Sequence, residues 1–116
     1  MHTINLRGIK LFAYHGCLEE EALIGGNYVV NVQIRFNFSD AARSDELNQT
    51  IDYSTVYEIV KQEMAIRSKL IEHVAERIAN RIKIEFNRID GLSVEVVKLN
   101  PPIHGHVEEV SVVVEK

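Results

Sequence analysis

Apolar and polar residues alternate from Tyr28 to Phe38, with Tyr28, Val30, Val32, Ile34, Phe36 and Phe38 on one face and Asn31, Gln33, Arg35 and Asn37 on the other. A period of two with one wet side describes a long, half-buried strand. Thr3 to Tyr14 alternates less cleanly: Ile4 and Leu6 share one phase, whereas Ile9, Leu11 and Ala13 share the opposite one. Gly8 stands where the phase flips, as a β-bulge would require. The two strands are expected to pair antiparallel. The acidic segment that joins them, Gly16 to Asn27, is too long for a tight hairpin, and loops of that length in compact domains tend to carry function.

The period then changes to that of helices. One is expected to open at Thr55, with Glu58 three residues on as a capping box, and to continue through Val56, Ile59, Val60 and Met64. A second runs from about Leu70 to Phe86, with Ile71, Val74, Ala75, Ile78 and Ile82 at three- and four-residue spacing. Asp90-Gly91 ends the helical part. Leu92, Val94 and Val96 alternate as a third strand, Asn100 to Gly105 reads as a Pro-containing loop, and Val110, Val112 and Val114 alternate as a fourth strand. The order ββααββ predicts an α+β domain, a four-stranded antiparallel sheet with two helices on one face. Such a sheet leaves two open edges, which need charge, cover or a partner strand. Closure of the sheet into a barrel across subunits is one solution, so a homo-oligomer is expected.

Composition narrows the class without touching the chemistry. At 116 residues, one domain over 1–116 is expected. The net charge of −4 comes with no basic block, which counts against nucleic acid and against a polybasic membrane patch. No apolar run is long enough for a membrane span or a signal-peptide core. The single cysteine, Cys17, excludes an internal disulfide and fits a reducing cytoplasm.

Several residues could carry chemistry. Lys98 has the same phase as Leu92, Val94 and Val96, so it points to the otherwise apolar face. An amine held there is a candidate general base, although a fraying strand end would let it snorkel into water. Glu72 falls in the first turn of the second helix. It either serves the helix dipole or accepts two parallel hydrogen bonds from an amino group and a neighbouring ring N–H. Tyr53 is either an aromatic staple at a helix start or a phenol at a pocket mouth. Glu19, Glu20 and Glu21 form an acidic run, of which one at most is expected to face a ligand. His104 and His106 form an H-x-H pair that could join His15, His73 and Cys17 around a zinc ion. There is no P-loop, G-x-G-x-x-G or nucleophile elbow.

Four segments together resemble a known family. These are L-R-G-I-K-L-F-A-Y-H-G (Leu6 to Gly16), I-D-Y (Ile51 to Tyr53), L-I-E-H-V-A-E-R-I-A (Leu70 to Ala79) and K-L-N-P-P-I-H-G-H (Lys98 to His106). In this order and spacing they are similar to dihydroneopterin aldolase of folate biosynthesis, a member of the tunnelling fold. The resemblance implies that Lys98 is the catalytic acid–base lysine and that Tyr53, from a neighbouring subunit, takes part in protonation. It implies that Glu72, with the backbone of Ile71, anchors the pterin edge, and that Glu21 is the loop glutamate that meets substrate. It also implies rings of four subunits stacked as octamers, and neither metal nor organic cofactor. Two positions depart from the family pattern. Gly26 replaces a frequent Gln and is expected to loosen the loop behind Glu21. His104 replaces a frequent Pro and adds a titratable group near Lys98 in sequence. The competing readings are a dihydroneopterin triphosphate 2′-epimerase, a zinc-dependent pterin synthase and a non-catalytic pterin-binding scaffold.

Overall fold

The computed structural model describes residues 1–116. Strand β1 (Thr3–Ala13) pairs antiparallel with β2 (Gly26–Arg35), β2 with β3 (Gly91–Leu99), and β3 with β4 (Glu109–Glu115), in the spatial order β1-β2-β3-β4. The register of β1 on β2 shifts between Leu6 and Ile9, and Gly8 takes a φ of 75° there while its amide donates to Asn31 Oδ1 at 2.7 Å. The bulge brings Ile9 and Ala13 into the core, and Leu11 packs against it from a partly buried position.

Helices α3 (Tyr53–Met64) and α4 (Ile71–Glu85) cover one sheet face, with α4 over β3 and β4 and α3 beside β1. Val30, Val32, Ile34, Val94 and Val96 from the sheet meet Val56, Val60, Val74, Ile78 and Ile82 from the helices in one core cluster of 22 buried residues. Full burial of each such side chain contributes roughly 1.5–3 kcal/mol. The opposite sheet face is wet and laced by side-chain hydrogen bonds, Gln33 to Asn5 at 3.1 Å and Asn31 to Glu95 at 2.9 Å. No helix is long and apolar enough to cross a membrane.

The structure corrects three local expectations. The segment between β1 and β2 is not all loop, because Glu19–Ile24 forms a short helix, α1, ended by Gly25 at a φ of 74°. Strand β2 stops at Arg35, short of Phe38: the Asn37 side chain accepts from the Ser39 amide at 3.0 Å and turns the chain into α2 (Ser39–Ser44). A 3₁₀ turn, Leu47–Gln49, follows. Helix α3 opens at Tyr53 rather than Thr55, because the Asp52 carboxylate caps it by accepting from the Ser54 amide at 2.9 Å. Ile51 and Val56, the two staple positions flanking that cap, are both buried.

Candidate active site

The end of β3 that carries Lys98 lies in register with Tyr28 on β2 and Val110 on β4. Lys98 is on the core face, yet past the last row of apolar contacts its side chain meets polar groups. The ammonium donates to the Glu21 carboxylate and to the His15 carbonyl, the latter at 3.3 Å. The Lys98 side chain is 17% exposed and that of Glu21 12%. Helix α1 aims Glu21 inward: its Oε1 accepts from the Leu18 amide at 3.1 Å, the reach-back that an N3 glutamate makes at a helix start. Glu19 and Glu20, two and one residues earlier, remain exposed. Gly16 makes room for the carboxylate. Its φ is 134°, and a Cβ there would lie inside the Glu21 side chain.

Lys98 and Glu21 stand between two adjoining cavities and border both. The larger, about 270 Å³, also takes in Ile71 and Glu72 from the start of α4 and Pro101 to Ile103 from the following loop. The smaller, about 190 Å³, is floored by His15 and Tyr28 and bordered by Gly25 and Gly26. Ile71 is the first residue of α4 and Glu72 the second, so their amides have no acceptor within the helix and the Glu72 carboxylate sits beside free donors. A bigger cavity, about 440 Å³, lies at the other end of the sheet around His2, Arg35, Asn37 and Asp90. It holds no paired carboxylate and amine and none of the residues singled out from the sequence.

Beneath the lysine is a strap that sequence reasoning treated only as a possible metal ligand. His15 is fully buried; its Nδ1 accepts from the Ser68 amide at 2.9 Å, and its ring meets Tyr28 edge-on. Burial above all, with the positive charge of Arg77 next, lowers its pKa to about 4, so the imidazole is neutral at pH 7. The Tyr28 hydroxyl donates to the His15 carbonyl at 2.7 Å. Burial, and then the nearby Glu21 charge, raises that phenol to about 12, which keeps it a donor. The signal available in the sequence was the Y-H-G tripeptide at the end of β1, where a histidine before a glycine ends an apolar run.

The remaining residues fall outside this cluster. Tyr53, at the first position of α3, is 64% exposed and borders neither cavity. His104 and His106 are exposed in the loop after β3, while the His73 ring is engaged by the Ser68 hydroxyl at 2.7 Å. No three His, Cys, Asp or Glu side chains converge as a metal site. Gly26 is the first residue of β2, opposite Ala13, and a Cβ added to it would meet nothing within 4 Å.

Comparison with known proteins points one way. The family described as dihydroneopterin aldolase (FolB) matches residues 4–115. A dihydroneopterin aldolase of Staphylococcus epidermidis is 41% identical over 110 residues, 94% of this chain and 91% of that protein. That of Bacillus subtilis is 33% identical over 113 residues, 97% of this chain and 94% of that protein. Among solved structures, Escherichia coli dihydroneopterin aldolase in complex with neopterin superposes with a TM-score of 0.91 at 21% identity, over 100% of this chain and 99% of that one. The enzyme from Burkholderia thailendensis bound to guanine gives 0.75 at 19% identity, over 99% and 89%. At these identities the structural matches speak for the fold.

Proposed function

This chain belongs to the dihydroneopterin aldolase family, with the function of that enzyme in folate biosynthesis, and from that premise we propose how its own residues perform the reaction. The reaction class is a carbon–carbon lyase, a retro-aldol cleavage of 7,8-dihydroneopterin into 6-hydroxymethyl-7,8-dihydropterin and glycolaldehyde. One observation carries the reading: an amine and a carboxylate, paired between two cavities, face the first turn of a helix that presents a second carboxylate.

The pterin ring lies in the larger cavity, its 2-amino group and ring N–H donating to Glu72, with the backbone of Ile71 beside it. The side chain extends toward Lys98 and Glu21. Lys98, acting as general base through a water, takes the 2′-hydroxyl proton. The bond between C1′ and C2′ breaks, its electrons pass into the ring C=N, and glycolaldehyde leaves. The ring itself is the electron sink, so the step needs neither an imine on lysine nor a metal. The ammonium then formed is the species that Glu21 and the His15 carbonyl are arranged to hold. A proton returned to C1′, with Tyr53 assisting, completes the product. A positioned acid–base group contributes about 10²–10⁴ in rate.

Tyr53 reaches this site only from another copy of the chain. Its exposure and its absence from both cavities support that placement, as do the two open edges presented by β1 and β4. We place the site at subunit interfaces, in rings of four whose sheets close a shared barrel, stacked as an octamer. The whole of 1–116 acts as one catalytic domain, and the unpaired Cys17 supports a cytoplasmic setting.

The test is product analysis after incubation of the purified protein with 7,8-dihydroneopterin and excess EDTA. Equimolar glycolaldehyde and 6-hydroxymethyl-7,8-dihydropterin are expected, with any 2′-epimer as a side product of glycolaldehyde re-adding. No product without added zinc, and product with it, would overturn the metal-free route. A monomeric mass in light scattering would overturn the interface site.

A further inference from the structure

Arg67 borders neither cavity and hydrogen-bonds to neither Lys98 nor Glu21, yet its guanidinium grips the strap on which both depend. Its Nε donates to the Tyr14 carbonyl at 3.0 Å and its Nη2 to the Gly16 carbonyl at 2.6 Å. Residues 14–16 follow the end of β1 and bend at Gly16, whose φ is 134°. The Tyr14 and Gly16 carbonyls are held by the guanidinium, and the His15 carbonyl between them is left to accept from Tyr28 and from Lys98.

The turn between α3 and α4, which carries Arg67, grips the strap twice more, since the Gly16 amide donates to the Ser68 carbonyl at 3.0 Å and the Ser68 amide donates to His15 Nδ1 at 2.9 Å. The turn is in its turn fixed by Arg77 of α4, which donates to the Ile66 carbonyl at 2.8 Å and to the Ser68 hydroxyl at 3.0 Å.

We propose that Arg67 is a positioning residue for the aldol chemistry, a fork that sets the His15 carbonyl and thereby the Lys98 amine. Through Gly16, whose bare Cα seats the Glu21 carboxylate, it sets Glu21 as well. The inference rests on the assignment of Lys98 as acid–base group. A fork is what the geometry calls for, because a guanidinium presents donors on neighbouring nitrogens held in one rigid plane. Displacement of a reacting group by about 1 Å costs up to about 10²-fold in rate, while the pterin anchors at Ile71 and Glu72 lie elsewhere.

Two variants of this exposed residue test it: R67M, which keeps the aliphatic stem and removes every donor, and R67K, which keeps one donor group. R67M is expected to lower kcat about tenfold with KM for 7,8-dihydroneopterin within about twofold, and R67K to fall between R67M and the parent. In a Lys98→Ala background either substitution is expected to change kcat by less than about twofold, because the residue through which it acts is gone. A purely structural arginine would reduce activity in both backgrounds, and that result overturns the proposal. So does a kcat for R67M equal to the parent's, or a loss confined to KM. If R67M does not fold, the same comparison is made with R67K alone. Absence of turnover by the parent protein would sink the aldolase reading, whereas parental turnover with an unaffected R67M sinks only this inference.

Discussion

Glu21 and Glu63 are buried to the same degree, each side chain 12% exposed, and each is paired with a base, but their surroundings differ. Glu63, on α3, gives one oxygen to Arg77 at 2.6 Å and the other to Arg81 at 3.0 Å, both from α4. It borders neither of the two cavities at the lysine, and both its partners come from the neighbouring helix. Glu21 gives one oxygen to a backbone amide and the other to Lys98, and both members of the pair open onto empty volume. A half-buried ion pair is therefore not itself a mark of chemistry. What separates the two is whether a third molecule can reach the pair. The helix pair fastens α3 to α4, and the pair at the end of β3 leaves its charges available to a substrate.

That contrast can be broken by experiment. The largest effect is expected for Lys98→Met: kcat falls about 10²–10⁴-fold, while pterin affinity, followed by fluorescence titration, stays within about threefold. Turnover that survives the substitution would make the lysine pair structural, like that of Glu63.

Next comes acid. His15 lies between the two pairs and feels the charges of both Arg77 and Lys98. Its pKa is lowered from 6.5 to about 4 on folding, so between those values the unfolded chain binds the proton and the folded chain does not. Stability from this residue is full above about pH 6.5 and is lost as pH falls toward 4, at most about 3 kcal/mol. Urea unfolding at pH 7.5 and 4.5, with an NMR titration of the ring, checks it. A ring that titrates near its ordinary value would mean that the strap is not closed.

Glu63→Gln should leave turnover per folded molecule unchanged and lower unfolding stability by about 2 kcal/mol, since Arg77 and Arg81 lose their charged partner but are not fully buried. A drop in kcat at constant stability would erase the distinction between the two pairs. The smallest effect is expected for Glu72→Gln, which weakens pterin binding about tenfold with kcat within about threefold. Isothermal titration with a product pterin measures it, and unchanged affinity would move the anchor elsewhere.

Much of this was legible along the chain wherever the signal was local. The alternation from Tyr28 to Ile34 marked β2, the phase flip at Gly8 marked the bulge, and the three- and four-residue spacing from Ile71 to Ile82 marked α4. The position of Lys98 on the apolar face followed from the same period of two. Helix starts were read less well. At α3 two capping signals compete within four residues, and the one whose flanking apolar residues, Ile51 and Val56, could both be buried prevailed.

The site itself needed contacts that no local period encodes. Lys98 meets Glu21 across 77 positions and His15 across 83, and Arg67 meets the strap across 51 and 53. Which of three successive glutamates turns inward depends on the phase of a six-residue helix and on a glycine that leaves space for it. The burial of His15, and so its neutrality, comes from the core closing around it. Periodicity specified which face of each element is wet, because that is set by backbone geometry over a few residues. Where the charged groups converge was decided by packing, because it depends on how the elements are brought together.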